Sequence, residues 1–205
     1  MRNRLQAVRW AMAGVCMTAA TAQALPTLLV DGSGDLIGAS RVDVGGAFYD
    51  VAFVDGACFG VFGLCNGPES FTFTTEATAT VATNALMNQV FRDDPLGNFD
   101  TDPGTTTGIA AGTTYGAIVT PYSVAGRVNI VFFQNAIGEA EDVVITSYLP
   151  STLTNLAGVT GDVFAVWSPS APVPEPAESA LLAVGLGVLA AAVRGRRKKG
   201  GSGSR

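Results

Sequence analysis

Two apolar runs flanked by basic residues sit at opposite ends of this chain, so only the stretch between them is left to build a packed core. At the N-terminus, Arg2, Arg4 and Arg9 form a positive region, Trp10 to Ala20 is mostly small and apolar, and Ala22-Gln23-Ala24 follows. A basic region, a short apolar run and an A-x-A site are the three parts of a secretory signal. Residues 1–24 are therefore expected to be removed by cleavage at the Ala22/Ala24 site, leaving Leu25 as the mature start. Cys16 follows Ala13-Gly14-Val15, a poor lipobox set too early in the apolar run, so no lipid attachment is expected there.

The ends also hold most of the positive charge. Of 12 Lys and Arg, only Arg41, Arg92 and Arg127 lie between residues 25 and 171, against 15 of the 17 acids, a net of −12 for that stretch. A surface this acidic repels phosphate backbones, which excludes nucleic acid as a partner. The same excess of acid keeps an exported domain soluble. At this length, one globular domain is expected, over residues 25–167.

Export changes how the cysteines read. Signal removal leaves Cys58 and Cys65 as a pair bracketing "FGVFGL" in an oxidising setting. A bridge between them closes a hairpin tip or compact loop and contributes about 2–3 kcal/mol in the loop-entropy view. The spacing is not C-x-x-C, and no histidine exists to complete a metal site, so a structural disulfide is expected. Phe59, Val61, Phe62 and Leu64 between the cysteines either fold under the loop or form an apolar patch for a partner.

The middle reads as β-rich with one helix. Leu36–Val44 and Ala47–Val54 flank Gly45-Gly46, a turn dipeptide, with Tyr49, Val51 and Phe53 on the core side. In "TTEATATVATNALMNQVFRDDP", Val81, Ala82, Ala85, Leu86, Gln89 and Val90 recur at helical spacing. Thr74 or Thr75 caps its start, Glu76 suits the positive end of the dipole, and Asp94-Pro95 is expected to end it. Further strands are expected at Tyr115–Thr120, Arg127–Asn135, Asp142–Leu149 and Asp162–Trp167. The predicted class is α+β, a mainly antiparallel sheet with one packed helix, with an all-β sandwich as the alternative.

Little in this domain points to chemistry. Without histidine there is no Ser-His-Asp or Cys-His nucleophile, and no G-x-S-x-G, P-loop or dinucleotide fingerprint is present. No cofactor, no metal and no catalytic residue is expected. The alternative is a small secreted carbohydrate-active enzyme using paired carboxylates. "RDDPLGNFDTDPG" concentrates Asp93, Asp94, Asp100 and Asp102, oxygens that calcium would accept. It lacks the EF-hand order. "DGSGD" (Asp31–Asp35) starts like such a loop but puts Leu36 at the glycine and Val42 at the final glutamate. Both stretches read first as turns, where Asp, Gly and Pro serve the backbone.

At the C-terminus, "SPSAPVPEP" makes residues 168–176 a Pro-rich linker. Ser179 to Val193 is a run of 15 apolar or small residues, about 22 Å as a helix. A bilayer core of about 30 Å asks for ~20 residues, so the span suits a transient stay in a membrane better than a permanent anchor. Arg194, Arg196, Arg197, Lys198 and Lys199 would hold the tail on the cytoplasmic side, with the domain facing outward. Residues 177–199 form this helix and basic stop, and 200–205 a short tail.

Val173-Pro174-Glu175-Pro176, the span "LLAVGLGVLAAA" and the terminal "RGRRKK" together resemble a PEP-CTERM sorting domain. The resemblance covers about 28 residues and departs from the leucine-rich norm in its alanine content. It implies an exported Gram-negative bacterial protein recognised at Val173–Pro176 by exosortase, a membrane-embedded protease or transpeptidase. Inner-membrane insertion during processing is implied, then a place at the cell surface or outside the cell, in association with exopolysaccharide, biofilm or envelope components. The task of the domain in front is not implied, because such tags are attached to unrelated cargo. Thiol labelling of the unfolded exported protein is expected to find no free thiol, and labelling at Cys58 or Cys65 would refute the bridge.

Overall fold

A computed structural model describes residues 25–65, 67–138, 142–148 and 161–172. The signal region, the motif Val173–Pro176 and the basic residues 194–199 lie outside the described residues.

The hairpin expected at Gly45-Gly46 is present. Strands β2 (Leu36–Val44) and β3 (Ala47–Val54) pair antiparallel, with Val44 opposite Ala47. Gly45 and Gly46 have φ of 65° and 92°, the double positive turn whose twist matches a two-residue hairpin. A short strand, β1 (Thr27–Val30), joins the outer edge of β2 over Leu36 to Ser40. Sequence patterning missed it, since four residues give no period to read. Beyond its reach, Gln89 covers the edge of β2: its Oε1 accepts from the Asp43 N–H at 3.0 Å and its Nε2 donates to the Asp43 carbonyl at 2.7 Å. Between these stretches β2 bulges at Arg41, which takes a φ of 62°. The Arg41 N–H donates to Asp50 Oδ1 at 2.9 Å, and its guanidinium lies 4.5 Å from the Phe48 ring.

The second half of the sheet is a meander of β6 (Tyr115–Val124), β7 (Arg127–Ala136) and β8 (Val143–Tyr148). β6 runs past the expected end at Thr120, straight through Pro121. A proline lacks a donor, and here it falls beyond Val119, the last β6 residue paired to the strand on its other side. That other strand is β9 (Asp162–Pro169), which continues two residues past the expected Trp167. β9 lies between the two halves and completes the seven-stranded order β1-β2-β3-β9-β6-β7-β8. It pairs antiparallel with β3 over six residues but parallel with β6 over only three, Ala117–Val119. The sheet is thus mainly antiparallel with one short parallel seam.

One face of the sheet is covered by helix α2 (Glu76–Gln89). Thr75 caps it as expected: its hydroxyl accepts from the Thr78 N–H at 3.2 Å while Thr78 answers the Thr75 N–H. The buried side is Ala79, Ala82, Thr83, Ala85 and Leu86, so Val81, expected on the packed stripe, instead faces outward at 46% exposure. Small residues bring the helix close to the strands of Val42, Ile118 and Val131. The helix also ends at Gln89 rather than at Asp94-Pro95. There the Phe91 N–H turns back to the Leu86 carbonyl at 3.1 Å, and Phe91 drops between Phe53 (5.4 Å) and Phe133 (4.7 Å). Burying a phenylalanine outweighs one more helical turn. The following Asp93–Asp94 and Gly97–Asn98 form a two-residue ladder, β4 and β5.

The opposite face is covered by the disulfide loop. Cys58 and Cys65 are bridged, with Cα atoms 5.8 Å apart, around a five-residue helix α1 (Cys58–Phe62). Phe62 packs edge-on against Phe71 (5.1 Å) and Phe164 (5.4 Å), over Val119, Val128 and Ile130. Phe59 and Leu64 point away, 57% and 56% exposed. After the loop the chain passes from this face to the other: Phe71 belongs to the disulfide-side core and Phe73 to the helix-side core. Thr72 between them donates its hydroxyl to the Trp167 carbonyl at 2.6 Å, where β9 and β6 have parted.

Phe164 is fully buried under the disulfide loop. Phe164→Ala is expected to cost about 3–5 kcal/mol in urea unfolding with the bridge intact. Val81→Ala, on the exposed side of α2, should stay within about 0.5 kcal/mol; equal costs would contradict the layering described.

Candidate functional site

Two features stand out, an acidic corner and an apolar groove. Asp93 Oδ1 accepts from the backbone of Asp100 (3.0 Å) and Thr101 (3.2 Å), and its Oδ2 accepts the Thr101 hydroxyl at 2.8 Å. Partial burial pulls the Asp93 carboxyl upward, but these bonds together leave it below the usual range. Asp100 is pushed up, by burial and then by the charge of Asp93. Asp142, at the start of β8, sits beside Asp100. Both its oxygens are shielded from water, and among the described residues only the Ala136 amide approaches them, outside good hydrogen-bond geometry. Burial first and Asp100 second raise it to about 6, against a smaller opposing pull from the Ala136 amide.

Several other acids serve turns. Asp31 accepts from Ser33 and Asp35, Asp43 from Gly46, Asp94 from Leu96 and Asp102 from Gly104, all backbone N–H groups. That is the turn use expected for "DGSGD" and the Asp-rich segment. Among the described residues no group of three or more His, Cys, Asp or Glu is placed to hold a metal ion. The sequence did not point to Asp142 as a neighbour of Asp100, since 42 positions separate them and no local pattern links them.

The second feature is an apolar groove of about 420 Å³ where the β2–β3 turn, the crossing segment and the first half of α2 meet. Tyr49 and Phe73, 5.1 Å apart, form its floor, with Trp167 edge-on behind both at 6.4 Å and 5.4 Å. Val44, Gly45, Thr72, Thr74, Ala77, Thr78 and Val81 complete the lining, with the Thr72 hydroxyl committed to the Trp167 carbonyl and that of Thr78 to the helix cap. Nothing lining it is charged. A smaller cavity of about 160 Å³ marks the parting of β6 and β9, around Phe71, Pro121 and Trp167. Neither cavity has an Asp or Glu in its lining. The groove was not visible in sequence because three separated segments build it; Val81, read as core, is part of its wall.

The buried bridge between Cys58 and Cys65 offers no accessible sulfur for redox exchange, as expected of a structural disulfide. Among the described residues no helix is long and apolar enough to cross a membrane. The candidate sorting residues Val173, Pro174, Glu175 and Pro176, the basic stop and the signal-cleavage alanines lie outside the described residues. No protein-family model matches this chain, and no curated protein or solved structure matches it significantly.

The raised Asp142 has a sign that can be tested. A carboxyl whose folded pKa of about 6 exceeds the ordinary aspartate value of 3.8 binds its proton more tightly in the folded state, so stability falls as pH rises through that window and the penalty is complete above it. Asp142→Asn is therefore expected to raise the melting temperature at pH 8 and to change it little at pH 4. A gain equal at both pH values would reject the shift.

Proposed function

We propose that this chain is an exported, non-enzymatic protein of the bacterial cell surface or extracellular matrix, sorted and processed through its C-terminal segment by exosortase. The observation that carries this reading is the ordered tail: Val173-Pro174-Glu175-Pro176, a short apolar span from Ser179 to Val193, and the basic cluster from Arg194 to Lys199. Two prolines favour an extended backbone with few internal hydrogen bonds, the form in which a protease binds a strand. Glu175 supplies the charge that a basic pocket would read.

Features of the domain support the reading. A disulfide suits an oxidising compartment. β1 begins at Thr27, two residues after the expected mature start, and β9 ends at Pro169, four residues before Val173. The domain thus fits between the two targeting segments, and association with exopolysaccharide or other envelope components follows from the resemblance rather than from any site.

The enzymatic alternative has one observation in its favour, the raised Asp142 beside Asp100, since glycoside cleavage needs one protonated carboxyl near a second. Against it, neither described cavity is lined by a carboxylate. In the native host, Glu175→Ala is expected to leave most of the protein as membrane-bound precursor, read as retention of residues 181–193 by intact mass. Normal processing of that variant would overturn the tag.

A further inference from the structure

The chain leaves the sheet beside the apolar groove. Pro169 is the last residue of β9 paired with β3, and its partner across the ladder is Tyr49, the groove floor. Directly opposite residues of an antiparallel pair share a face, so the exit lies on the groove side. Ser170 fixes the exit twice: its N–H donates to the Phe48 carbonyl at 3.0 Å and its hydroxyl to Asp50 Oδ1 at 2.5 Å. The described residues end at Pro172, and Val173-Pro174-Glu175-Pro176 comes next.

The chemistry on the two sides matches. The groove is uncharged and floored by two aromatic rings, the type of lining that takes extended proline-rich segments. Three residues, Ser170 to Pro172, about 10 Å when extended, separate the partner of Tyr49 from Val173, so the motif is held within short reach of the groove. A segment tethered this closely meets the groove at an effective concentration in the millimolar range, which no free peptide or second copy matches without a larger interface.

We propose that this groove is the docking site of the chain's own Val173–Pro176 segment. Docking places the two prolines and Val173 against Tyr49 and Phe73 and leaves Glu175 toward solvent, since the groove has no charge to pair it. The docked segment is withheld from any enzyme that must bind it as an extended strand, so the cargo domain itself sets how accessible the motif is. That last consequence rests on the sorting reading; the docking does not.

The test uses the unprocessed chain, produced in a host without exosortase, with p-benzoylphenylalanine at Ala177, just past the intact motif, irradiated and mapped by peptide mass spectrometry. The expected result is a crosslink within one chain to residues 44–49 or 72–81, reduced at least about five-fold by Val81→Asp, an exposed change at the groove wall. Ala77→Arg carries the same test should Val81→Asp fail to fold. A crosslink between two chains would assign the groove to a second copy and overturn the proposal, as would a crosslink to another protein. No crosslink, or one unchanged by both substitutions, would overturn it too. Processing of Glu175→Ala is a separate readout, so a failed tag leaves the crosslink result interpretable.

Discussion

Among the described residues, the two halves of the sheet pair only through β9, and that junction governs the remainder of the fold. β1–β3 and β6–β8 are each built from antiparallel neighbours in sequence, and either could form locally. β9 gives β3 six residues and β6 only three. Where it parts from β6, a gap opens that must be sealed, and Phe71-Thr72-Phe73 seals it by carrying the chain through. The Thr72 hydroxyl occupies the Trp167 carbonyl that a fuller β6 pairing would have used. The same parting lets Pro121 sit inside a strand without an unmet neighbour.

That crossing also explains why both faces are packed in a domain this small. A chain that stayed on one side would leave Val119, Ile130 and Phe164 uncovered. Instead the disulfide-bridged loop covers them first, and the chain then emerges on the far side directly into the Thr75 cap of α2. The groove is a by-product of this route: the crossing segment and the start of α2 diverge from the β2–β3 turn before side chains large enough to fill the space are reached. Val81 and Ala77 border it without closing it.

What was legible in the sequence was what is local. Gly45-Gly46 announced its hairpin because two positive φ angles need glycine, and Thr75 announced the helix start through its hydroxyl. The cysteine pair announced its bridge through spacing and compartment. The helix end was misplaced because the competing force, burial of Phe91 between Phe53 and Phe133, acts across positions 38 and 42 residues away. Val81 was misassigned because alanines and Thr83 serve as the packed side, and small residues give a weak amphipathic signal. The central place of β9, the company of Asp142 with Asp100, and the groove all depend on contacts that no short window contains.

The strand that joins the halves is also the last of the described strands to be synthesised. Until residues 162–169 are available, β3 and β6 present unpaired edges, and the aromatic trio of Tyr49, Phe73 and Trp167 lacks a member. Pairings such as Val51 with Trp167 join residues over a hundred positions apart, the kind of long-range closure that folds slowly. A chain truncated before Asp162 would therefore expose two sticky edges. Completeness of synthesis is thereby written into solubility: only a molecule that carries the segment leading to Val173 has its inner edges, β3 and β6, paired.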